Sequence, residues 1–130
     1  MNLNEDKIKK KLFLKGLDSF NKSNFYDAHE YWEDLWSDYR LSDAKFIQAL
    51  IQLAVGYFHI TNDNKNGAIG LLTKCKPKFE EYIPIKRGLQ VEKILYSVNQ
   101  SLRCLEEINQ MKKFNWSLVP KLEIKNARTI

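Results

Sequence analysis

The chain has 130 residues, 44% hydrophobic and 12% aromatic, with a net charge of +5. That length fits one ordinary domain, and that apolar content excludes wholesale disorder. The positive charge is mostly lysine spread along the chain. Only Arg40, Arg87, Arg103 and Arg128 carry the fork that dominates base readout, so nucleic acid is a disfavoured partner.

Three prolines and five glycines leave long uninterrupted stretches, which favours helices over a many-turned β fold. The first predicted helix spans 4–20, with Ile8, Leu12, Phe13 and Leu17 as its apolar stripe. The second spans 25–38. Asn24 is its expected N-cap and Asp27 a shortened capping-box partner. Ser42 is expected to cap a third helix running to Ile60, and "TNDNKNG" then reads as a loop. A fourth helix runs from Gly67 toward Glu81, with Pro77 expected to kink it or end it near Lys76. "YIPIKRG" is the next break, and a fifth helix spans 89–111.

"KFNWSLVPKLEIKNARTI" shows no helical period. Trp116, Leu118 and Val119 are expected to pin part of it, while the last residues fray. The expectation is therefore an all-α single-domain bundle of about five helices with a buried central third helix. Its bundle covers 1–111, and an irregular tail, partly packed on it, covers 112–130.

Cys75 and Cys104 lie far apart and outside any CxxC pattern. A disulfide framework and a thiolate zinc site are both disfavoured, and buried cysteines in a reducing cytoplasm are expected. "MNLNEDKIKK" has no apolar stretch behind its charges, so no secretory signal is expected. The longest apolar run, "FIQALIQLAVGYFHI", falls short of the ~20 residues of a membrane span. Cytoplasmic location without membrane association follows as the expectation.

The chemistry concentrates in "DAHEYWEDLW", residues 27–36. On a wheel of ~100° per residue, Phe25, Ala28, Trp32, Leu35, Trp36 and Tyr39 share one apolar arc, so both tryptophans read as core anchors. Asp27, Asp34 and Asp38 lie opposite, on a solvated face. His29 and Glu33, one turn apart, sit at the border of the arc, with Glu30 slightly further out. The third helix carries Gln48, Gln52 and His59 on one stripe. Counting outward from the short connection at Leu41 brings His29 and Glu33 level with Gln48 and Gln52, if the two stripes face each other. His59 falls ~10 Å further along the axis.

Three readings of this patch stay open. It is a buried polar network fixing helix register, a metal or catalytic site, or a metal-free ligand pocket. "HEYWE" has the spacing of the zinc-protease pattern with Glu33 in place of the second histidine. His29 and Glu33 would hold a divalent ion (zinc, manganese or iron) and Glu30 would act as base on bound water. The third ligand is the gap.

The same residues carry a family resemblance. "SNFYDAHEYWEDLW" followed by "FIQALIQLAVGYFHITNDNKNGAIGLLTK" resembles domain of unknown function 309. The family pattern is Gly-x-[Phe/Tyr]-x-Glu-x-His-Glu-x-x-Glu-x-x-Trp, and Phe25, His29, Glu30, Glu33 and Trp36 match it. Ser23 stands where glycine is usual, Asp27 replaces a glutamate, and Ala49 stands after Gln48 where glycine is common. The resemblance covers roughly residues 10–110 and implies an all-α bundle, sometimes labelled a predicted metal-dependent hydrolase. Two functions follow as expectations: a metal-assisted hydrolase, or a non-enzymatic helical module that binds a partner or itself, with a homodimer one form.

Overall fold

The apolar periods become five helices in the computed structural model, which describes residues 3–125. They are α1 (Leu3–Asn21), α2 (Phe25–Asp38), α3 (Ala44–Thr61), α4 (Lys65–Glu80) and α5 (Val91–Glu107). The chain is all-α apart from a two-residue ladder, β1 (Ile85–Lys86) antiparallel to β2 (Leu89–Gln90). Short 3-10 turns at Met111–Lys113 and Trp116–Leu118 follow α5. α3 is the central helix, with Phe46, Ile47, Ala49, Leu50, Leu53, Ala54 and Tyr57 fully buried. A helix apolar around most of its circumference needs partners on several sides, and α2 and α4 flank it.

α1 is fixed on α2 by one indole. Trp32 is fully buried, and its Nε1–H donates to the Phe13 carbonyl at 3.2 Å. The ring occupies the space a side chain at Gly16 would need. Glycine is thus required at position 16 for close approach. Phe20 packs edge-on against Phe25 with centroids 5.1 Å apart, and Phe25 lies 5.7 Å from Tyr57. The Tyr57 hydroxyl pairs with Ser101 Oγ at 2.8 Å, tying α3 to α5. Ile8, expected in the stripe of α1, is 47% exposed, because the helix turns Phe13, Gly16, Leu17 and Phe20 inward instead.

A second clasp joins the α2–α3 connection to the β-turn. Asp43 is 5% exposed and takes Arg87 on both carboxylate oxygens, Nε at 2.6 Å and Nη2 at 2.9 Å. The guanidinium also lies 4.8 Å from the Phe13 ring centroid, so three distant segments meet there. Burial alone would raise the Asp43 pKa. The Arg87 hydrogen bonds and charge, with Lys86, outweigh it and hold the carboxyl below its ordinary value.

Several expected boundaries move. Asp43, not Ser42, precedes α3, and its side chain is committed to Arg87 rather than to a cap. Asn24 stands at the N-cap of α2 without a side-chain cap bond, whereas Asn64 caps α4 by accepting from Gly67 N at 2.9 Å. Pro77 neither ends nor splits α4, which continues to Glu80. The carbonyl that Pro77 leaves without a helical donor belongs to Thr73, an exposed position that water can serve. α5 stops at Glu107 rather than at Met111.

The tail is more deeply built in than its composition suggests. Phe114 and Leu122 are buried, and Trp116 stacks on Phe25 with centroids 6.0 Å apart. The Asn21 side chain clasps Leu122 through both backbone groups, at 3.1 and 2.9 Å. The stretch expected to fray at 126–130 lies outside the described residues.

Gly16→Ala should lower unfolding stability by about 2 kcal/mol or more, since overpacking against a hydrogen-bonded indole has no easy relief. Chemical denaturation monitored by tryptophan fluorescence measures it. Asp43→Asn should cost about 2–3 kcal/mol at pH 7, the low side of a broken buried pair because the Arg87 side chain is 25% exposed. A carboxyl with a depressed folded pKa stabilises above its unfolded value, about 3.9, and loses that stabilisation as pH falls through the lower folded value. The Asp43→Asn variant should therefore show a shallower loss of stability below about pH 4 than the wild-type chain.

Candidate functional site

α2 can bury only one face, and Trp32 decides which. With Phe25, Ala28, Trp32 and Leu35 turned inward, His29 is left half-buried at the rim and Glu30 and Glu33 are exposed. Trp36, expected in the core, is 39% exposed at the same rim, and Tyr26 is 49% exposed. His29 Nδ1 lies 2.9 Å from the Tyr26 carbonyl, a bond within its own helix. Its ring packs on Tyr26, centroids 5.1 Å apart, and Tyr26 in turn meets Phe58 of α3 at 5.3 Å.

The expected polar network is not formed. Among the described residues no hydrogen bond joins His29 or Glu33 to Gln48 or Gln52. The reason is rotational. Phe58 marks the side of α3 that faces α2, and at ~100° per residue Ile51 and Val55 lie on that side. Gly56 meets Leu72, and His59 lies 3.3 Å from Asn64 and beside Gly67, so that flank faces α4. Gln48 and Gln52 run along the crest between the two flanks. Both are half-buried, and Gln52 Oε1 is a buried oxygen without a hydrogen-bond partner among the described residues.

The result is a shallow valley floored by the α3 crest. One wall is the α2 rim with His29, Glu30 and Glu33. The other is the edge of α4, where Gly67, Leu71, Lys74 and Lys78 recur at helical spacing. The contacts between helices fix the levels. Counting from Tyr26–Phe58 puts Glu33 level with Ile51, and counting from His59–Gly67 puts Ile51 level with the turn between Lys74 and Lys78. By that count Glu33 and the Lys74–Lys78 turn lie at about one height along α3, on opposite sides of it. The basic wall was visible in the sequence only as lysines four apart, a spacing that most surface helices share.

As a metal centre the site is short of donors. His29 and Glu33 supply two on one turn, while a catalytic ion commonly takes three from the protein. His59 turns toward α4, and among the described residues no group of three His, Cys, Asp or Glu side chains is arranged to hold an ion. No catalytic step through a metal is derived from these residues. Cys75 offers no nucleophile either. Burial pushes its thiol up to about 12, against weaker opposing pulls from Lys78, its own backbone hydrogen bond and Lys76, so it stays protonated at neutral pH.

The sequence model of the family described as domain of unknown function DUF309 matches residues 13–71. Those residues form a DUF309 domain. The match runs from the middle of α1 through α2 and α3 into α4, and so contains the valley floor and its acidic wall. No curated protein matches the chain. No helix among the described residues is long and apolar enough to cross a membrane.

Because Glu33 is exposed and unbonded to the α3 glutamines, Glu33→Ala should change unfolding stability by less than about 0.5 kcal/mol. A loss of about 1–3 kcal/mol, the signature of an orphaned buried partner, would show instead that Glu33 is held inside a network.

Proposed function

We propose that this DUF309 chain is a non-enzymatic helical interaction module that pairs with a second copy of itself through the α2–α3–α4 valley. The observation that carries this reading is the pair of oppositely charged walls at one level, Glu33 on α2 and Lys74 with Lys78 on α4. A two-fold axis parallel to α3 sets the α2 wall of one copy over the α4 wall of the other. Height along the axis is conserved by that rotation, so Glu33 meets the partner's lysine turn twice.

Two further features support the pairing. Trp36 and Tyr26 place aromatic surface on the same rim, where a partner would bury it. Gln48 and Gln52 carry half-buried amides along the crest, and a glutamine amide offers both donor and acceptor to a symmetry-related amide. The metal-dependent hydrolase reading rests on His29, Glu30 and Glu33 alone and requires a third donor from elsewhere.

Sedimentation velocity at micromolar concentrations tests the proposal. A dimer is expected at ~50 mM salt that weakens at ~500 mM, as screened interfacial charges require. Glu33→Lys should give monomers, as should Lys74→Glu/Lys78→Glu, and mixing the two variants should restore a heterodimer. Monomers of the wild-type chain at about 100 µM (about 1.5 mg/ml) would overturn it. So would near-stoichiometric zinc, manganese or iron in untagged protein that is lost on His29→Ala, which would favour the hydrolase instead.

A further inference from the structure

On the far side of α2 from the valley, α1 and α2 leave a groove of about 550 Å³. Its lining includes Lys7, Lys10, Lys11, Leu14 and Lys15 of α1 and Tyr31 of α2. Lys7, Lys11 and Lys15 stand at successive four-residue steps, so their side chains form a ladder with rungs about 6 Å apart along the axis. Like charges at that spacing repel and destabilise a helix. Among the described residues no ion pair relieves them. Lys9 takes Glu5 and Asp6 at 3.6 Å, and Asp18, the one acid of the groove, is engaged by Lys22 at 3.0 Å.

We infer that this groove binds the phosphodiester backbone of a single-stranded nucleic acid. The ladder supplies a repeated positive charge along a line, which matches a chain of phosphates better than a single anion. Tyr31 adds an aromatic ring in the groove wall, with the Lys15 ammonium 5.5 Å from its centroid. A basic track beside an aromatic platform is the general chemistry of sequence-tolerant single-strand binding. A bilayer docks on protruding apolar side chains, and Leu14 is the one aliphatic side chain in this lining against four lysines. In sequence these lysines form the basic run "KIKKK" and its continuation to Lys15, which reads as a solvated helix face; the fold sets that face beside Tyr31 of α2.

Fluorescence anisotropy with a fluorescein-labelled thymidine oligonucleotide of ~15 nucleotides reads this directly, a length near the upper site size of single-strand folds. Binding is expected at ~50 mM salt, with log K falling against log salt at a slope near about −3, from about −0.7 for each of four lysine contacts. Lys11→Gln/Lys15→Gln keeps good helix formers and removes repulsion within α1, so the fold should persist by circular dichroism. That variant should bind roughly tenfold more weakly or worse, with the slope reduced by about 1.4. Lys93→Gln/Lys112→Gln, with the same loss of charge elsewhere, should bind as the wild type does. No binding at ~50 mM salt would overturn the inference, as would equal weakening by both double variants. So would tight capture of phosphatidylserine vesicles without oligonucleotide binding, which would assign the groove to a membrane surface.

Discussion

The seat of Trp32 over Gly16 sets the rotation of α2, and most of what this protein presents to its surroundings follows from that rotation. A buried indole needs its N–H satisfied, and the Phe13 carbonyl satisfies it only when α1 and α2 approach at a residue without a side chain. Once the indole is placed, Ala28 and Leu35 must also turn inward, one turn before it and three residues after. His29, Glu30 and Glu33 are then carried to the outer rim, whatever chemistry their spacing suggests.

This explains where sequence reasoning succeeded and where it stopped. Helical periods located all five helices, and the bounds of α2 agree with the expected 25–38. Periodicity reads burial well along a helix whose polar and apolar sides contrast, as in α5. It reads the border of the arc poorly. Trp36 lay inside the predicted apolar arc and is 39% exposed, because an arc drawn from hydrophobicity cannot tell which edge a neighbouring helix covers. The same limit undid the network. Counting outward from Leu41 put Glu33 level with Gln48, whereas the Tyr26–Phe58 contact puts it nearer Ile51, and level alone leaves open whether two stripes face each other. Rotation about α3 is set by Phe58 on one flank and by Gly56 and His59 on the other, contacts between residues distant in the sequence.

The Asp43–Arg87 clasp shows a related blind spot. Asp43 reads in sequence as the first residue of the third helix and Arg87 as part of a connection, and the positive φ of Arg87 (51°) and Gly88 (77°) has no sequence signature beyond "RG". The carboxylate and the guanidinium are 44 positions apart. Each alone looks like a solvated surface charge. Together, with the Phe13 ring beneath, they anchor the α2–α3 connection to the turn before α5 and so hold α3 in the middle of the bundle.

The way the C-terminal stretch is incorporated bears on what counts as the folding unit. Residues 13–71 define the recognised domain, yet Phe25 and Tyr57 inside it complete their packing against Phe114 and Trp116, and Asn21 finishes its hydrogen bonds on Leu122. Excised by itself, the recognised segment would leave an aromatic pocket open to water and the Tyr57 hydroxyl without Ser101. The recurring piece and the autonomous piece of this chain are thus different lengths. The extra length is the lid that seals the core.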